Sequence, residues 1–93
     1  MPAYKTINQI AFTSVEDRWE WAEAMADMWI NDNTYDWSED GHHEDYTLPR
    51  KYLVNAIAEE YIAQSNAFMK AYGQWIDYDH IDQISIDDSP FRK

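Results

Sequence analysis

Residues 14–31 read SVEDRWEWAEAMADMWIN. Ser14 opens the stretch with a hydroxyl at an N-cap position, and Glu16 and Asp17 follow in the first turn, where carboxylates suit the positive end of a helix. The pattern predicts a helix over about 15–31. At about 100° per residue, Val15, Trp19, Ala22, Met25, Ala26 and Trp29 share one face. Trp21 and Met28 widen that face to roughly 200°, against the roughly 100° that one core contact needs. Glu16, Glu20, Glu23 and Asp27 recur at i, i+4, i+7 and i+11 as a stripe opposite.

The next periodic stretch predicts a longer helix over about 49–72. Thr47 is a candidate N-cap, Pro49 suits the first turn, and Gly73 is placed for the stop. Its apolar face reads Val54, Ile57, Ala58, Tyr61, Phe68 and Tyr72, with Ser65 interrupting. At a rise of about 1.5 Å per residue it spans roughly 36 Å. Residues 32–46 fall between the two helices as a long loop, a length often tied to function. The ends are less regular. A short helix is the preferred reading for Thr6–Phe12, and another for Asp79–Ile84. The expected fold is mainly α: two main antiparallel helices, about 15–31 and 49–72, with short N- and C-terminal elements in one domain, 1–93.

Composition bounds the function. The chain has 93 residues with five Trp, seven Tyr and three Phe. That is more aromatic surface than one small core needs, so a partner or homodimer interface is open. There is no Cys, which removes disulfides and Cys-based zinc sites. No apolar run follows Met1–Lys5, so no signal peptide is expected. No stretch approaches the roughly 20 apolar residues of a membrane span, and a cytoplasmic location is the expectation.

The charge is the main signal. Eighteen acids face seven bases, for a net of −11. Nucleic acid and anionic membrane would repel such a chain; a basic protein would attract it. Solubility asks for about 2–8 charges at this size. From Glu16 to Asp45 there are eleven acids and one base, Arg18. From Asp77 to Asp88 there are five acids and no Lys or Arg. The span between, Tyr46–Ile76, is near neutral.

Acids along the first helix repeat every 5–6 Å or so, from the helical rise. Phosphates in one DNA strand repeat about every 3.4 Å of axis. The stripe therefore matches every second phosphate approximately. A solvated outer face would ordinarily mix both signs; here like charges repel. In composition and charge layout the chain resembles phage- and plasmid-borne DNA mimics, including anti-restriction and anti-CRISPR inhibitors. No motif supports transferring residues from such proteins. The expected partner surface is Glu16, Glu20, Glu23, Asp27, Asp36, Glu39, Asp40, Glu44, Asp45, Asp77, Asp79 and Asp82. The expected partner is a basic, nucleic-acid-binding protein, with no direct nucleic-acid or membrane contact. The alternative is a structural or adaptor subunit that docks on a partner, or on itself, through the wide aromatic face, with Trp21 and Met28 as anchors.

Asp36-Trp37-Ser38-Glu39-Asp40-Gly41 resembles the opening of an EF-hand loop. The likeness ends at His43, where an apolar residue is usual, and at Thr47, where a bidentate Glu is required. A calcium or metal binder at 36–47 therefore ranks behind both other readings, and no metal or cofactor is expected. His42 and His43 are expected to stand in solvent among acids, as candidates for pH sensitivity. No phosphate-binding glycine loop or nucleophile–base grouping is legible, so no enzyme is expected.

Overall fold

A computed structural model of the chain describes residues 15–73 and 84–93. Two helices carry the fold: α1, Val15–Asn33, and α2, Arg50–Tyr72. No strand occurs among the described residues, and a single antiparallel bridge pairs Tyr46 with Arg92. The helices are antiparallel. Arg18, near the start of α1, donates to Asn66 near the end of α2. Asp27, near the end of α1, meets Arg50 at the start of α2. Neither helix is long and apolar enough to cross a membrane.

The buried seam consists of i, i+4 rows. Ala22, Ala26 and Ile30 on α1 face Leu53, Ile57, Tyr61 and Ser65 on α2, with Trp21 and Ala58 beside them. Small residues in both rows allow the backbones to approach, since side-chain size sets interhelical distance. Fully burying a residue such as Ile30, Leu53 or Ile57 stabilises by about 1.5–3 kcal/mol. The expected faces are correct in direction but displaced. Ile30 and Leu53 lie at the centre, whereas Tyr72 is 65% exposed. Trp19, Met25 and Trp29 pack only along the margin. Ser65 does not break the face: it is fully buried and its hydroxyl donates to the Ile62 carbonyl at 3.0 Å.

The helix ends follow local chemistry. Gly73 takes φ +71° and its N–H donates to Met69 O at 2.8 Å. That left-handed stop is favoured by the missing Cβ. α1 runs two residues past the expected end. Thr34 continues the ladder with both its N–H (2.9 Å) and its hydroxyl (2.6 Å) on Ile30 O. The Asn33 side chain holds Trp29 O at 2.8 Å. At the start of α2 the expected cap is replaced. Pro49 occupies the N-cap position without a side-chain cap bond. The spare Arg50 N–H instead goes to Gly41 O at 2.7 Å, so the loop itself satisfies one orphan donor.

Thr47 serves the chain's last residues. Its N–H (2.8 Å) and hydroxyl (3.1 Å) both donate to Phe91 O. Residues 84–93 thus form a strap, with a 3₁₀ turn at Ser89–Phe91. Gln64 of α2 binds the Ser85 backbone at both its N–H (3.1 Å) and its carbonyl (2.6 Å). The expected element over Thr6–Phe12, the Ser14 cap and most of Asp79–Ile84 lie outside the described residues; Ile84 itself is not helical.

Candidate functional site

The helical stripe and the loop present their carboxylates differently. On α1, Glu20 is exposed while Glu23 and Asp27 are half-buried. Glu23 accepts the Trp19 indole N–H one turn before it. Asp27 is held by the Arg50 guanidinium at 2.6 Å, which also donates to Asn31 Oδ1 at 2.8 Å. Arg50 and Lys51 line the same hollow as Glu20, Glu23 and Asp27. The described part of the stripe is therefore partly compensated by α2, a charge the spacing along α1 could not reveal. Glu16 lies in the first turn of α1, but its side chain is outside the described set. Asp77, Asp79 and Asp82 also lie outside the described residues.

The loop carries more unpaired carboxylates, although Arg92 and Lys93 of the strap lie beside Asp36, Glu44 and Asp45. Asp36, Glu39, Asp40, Glu44 and Asp45 are all exposed. A tight turn shapes the first half. Ser38 N–H donates to His42 O at 2.8 Å, and Gly41 N–H to Ser38 O at 2.9 Å. The Ser38 hydroxyl donates to Asp40 and accepts the His42 N–H, the latter at 2.9 Å. The hydroxyl beside Asp40 holds its carboxyl below the usual carboxylate value. Asp36 has φ +65° and Gly41 φ +82°. Asp tolerates the left-handed region better than most side chains, and Gly without cost.

An aromatic cluster stands behind the carboxylates. Trp37 stacks on Tyr46 with ring centres 5.7 Å apart, and His43 sits 5.0 Å from Trp37 and 5.3 Å from Tyr46. The Trp37 indole N–H is fixed by Thr34 Oγ1 at 2.9 Å. Tyr46 is buried and its hydroxyl donates to Asp88 at 2.5 Å. Burial first, and Asp88 second, push its phenol above the ordinary value. Arg92 closes the group. Its guanidinium donates to Tyr46 Oη at 3.1 Å and to Asp88 at 3.3 Å, and lies 5.1 Å from the Tyr46 ring centre. Lys93 N–H donates to Asp45 O at 2.9 Å.

Two expectations are corrected here. Of His42 and His43, only His42 is exposed; the His43 side chain retains 10% exposure because it packs against Trp37 and Tyr46. Trp21 is no surface anchor. It is 6% exposed and meets Tyr61 edge-on at 6.0 Å, whereas Met28 remains 52% exposed. Among the described residues, no group of three or more His, Asp or Glu side chains is placed to hold a metal ion. Sequence reasoning missed the braces Trp37, Tyr46, Asp88 and Arg92. The one available signal was the pair of basic residues at the chain's end, close to no acid in sequence except Asp87 and Asp88.

Comparison with known proteins finds no matching family model, curated protein or solved structure.

Proposed function

We propose that this chain is an acidic binding protein that occupies the nucleic-acid groove of a basic partner, in the manner of a DNA mimic. One observation carries the reading: five exposed carboxylates, Asp36, Glu39, Asp40, Glu44 and Asp45, stand within ten residues on a loop braced from behind. A braced loop loses little conformational freedom when it docks, so more of each ionic contact is retained as affinity. Arg and Lys of a nucleic-acid groove would pair with the carboxylates, Arg in bidentate fashion. Such association is fast at low salt and weakens as salt screens the charges. The loop is the centre of the proposed surface. Glu20 and Glu23 extend it, and Asp27, engaged by Arg50, contributes least.

The adaptor reading keeps the exposed Met28 and a mainly apolar hollow between the helices, lined by Arg18, Trp19, Glu59, Ile62, Ala63 and Asn66. Binding there would resist salt.

The test is affinity capture at low and high salt, with the loop neutralised as Asp36→Asn, Glu39→Gln, Asp40→Asn, Glu44→Gln and Asp45→Asn. The expected captured proteins bind nucleic acid, are displaced by duplex DNA, and are lost with the neutralised loop. Salt-resistant capture that survives neutralisation would overturn the reading in favour of the apolar hollow.

A further inference from the structure

The acidic loop contains one contact that depends on a single proton. Asp45 N–H donates to His43 Nδ1 at 3.0 Å. An imidazole nitrogen accepts a hydrogen bond only while it carries no hydrogen, so this contact requires a neutral ring with its hydrogen on Nε2. Adding a proton at Nδ1 sets one N–H against another, and the contact is lost.

A replacement acceptor is at hand. Asp45 Oδ2 lies 4.0 Å from the same Nδ1, outside hydrogen-bonding length but within reach of a small movement of the loop. The ring itself has little room to leave, because it packs against both rings of the Trp37–Tyr46 stack and its side chain retains 10% exposure. Movement therefore falls on residues 44–45. Because Lys93 N–H is bound to Asp45 O, the end of the strap would be disturbed with them.

We propose that His43 is a proton-operated latch: neutral, it holds the Asp45 amide; protonated, it exchanges that bond for one to the Asp45 carboxylate and reshapes the acidic loop. The groups around it come from two segments. From the loop come Asp36, His42, Glu44 and Asp45. From the strap come Arg92 and Lys93. The Tyr46 phenol is occupied by Asp88 and Arg92. The latch rests on this geometry alone and stands whether or not the loop binds a nucleic-acid-binding protein.

The test is an NMR titration of the full chain from about pH 8 to about pH 5, the span over which histidine side chains in general change charge. Long-range ¹H–¹⁵N spectra report the proton on each His43 nitrogen, and amide spectra report Asp45 and Lys93. At the upper end Nδ1 is expected bare. As the pH falls, the Asp45 amide is expected to shift in step with Nδ1 protonation, and the Lys93 amide to follow. His43→Asn, which puts an amide oxygen near the Nδ1 position, should abolish the Asp45 transition, and His42→Gln should retain it. A proton on Nδ1 at the upper end would overturn the proposal. So would an Asp45 amide that ignores His43, or a transition that persists in His43→Asn. If His43→Asn does not fold, the wild-type titration decides.

Discussion

The helix seam and the acidic loop are held by different forces. Between α1 and α2, Ala22, Ala26, Ile30, Leu53, Ile57 and Ala58 are removed from water altogether. The loop has one buried aromatic, Tyr46, and otherwise depends on hydrogen bonds, ring contacts and the strap that ends at Lys93. Apolar burial is non-directional and tolerates sliding; hydrogen bonds fix distances and angles. The seam therefore supplies stability, and the loop supplies shape. The proposed function, recognition of charge by position, would draw on the second property.

The strongest way to break this contrast is at the seam. Ile57→Ala removes fully buried volume and should cost about 2–5 kcal/mol, seen as a lower denaturant midpoint for the whole molecule. A loss below about 1 kcal/mol would mean that the seam is not the main source of stability.

Gly41→Ala should cost about 1–2 kcal/mol, because φ +82° is unfavourable for an L side chain. The cost is conformational and not steric, since the nearest atom to an added Cβ is Arg50 N at 3.9 Å. Denaturant melting gives the size, and amide exchange at Arg50 shows whether its bond to Gly41 O is what suffers.

Tyr46→Phe should cost about 1 kcal/mol, the net worth of a hydrogen bond, since Asp88 and Arg92 retain each other. Exchange protection should fall at Thr47 and Lys93 while the α2 amides hold theirs. Equal loss in both regions would erase the distinction between seam and loop.

The smallest effects are those of pH. Tyr46 titrates above its ordinary 10.0, so its contribution is full below that value and is lost as the pH rises past the elevated one. Asp40 and Asp87 titrate below 3.8, mainly through hydrogen bonds to Ser38 and Ser89. Their contributions are full above that value and are lost as the pH falls past the lowered ones. Both carboxylates are fully exposed, so acid should loosen turns before it melts helices. Circular dichroism followed alongside loop amide shifts separates the two.

The helices were legible in the sequence because their signals are local. Gly73 stops α2 by a backbone property of its own, and the period places Ala22, Ala26, Ile57, Ala58 and Tyr61 on the right faces. The rotation of each face was not legible. It depends on which row of the other helix fits, so Ile30 and Leu53 replaced Tyr72 at the centre. The site was less legible still. Arg50 reaches Asp27 across 23 positions, and Tyr46 reaches Asp88 across 42. Neither pairing leaves a periodic trace. The expected Thr47 cap illustrates the ambiguity of a hydroxyl: the same side chain suits a helix start or, as found, the Phe91 carbonyl.

Arg50 stands where three parts of the molecule converge. Its amide holds the 38–42 turn through Gly41, its side chain grips α1 at Asp27 and Asn31, and its backbone begins α2. The acidic turn is accordingly no free arm on a swivel. Under the proposed function, a partner tugging on it would pull at the junction of both helices, and occupancy of the loop would register as altered rigidity deep in the molecule.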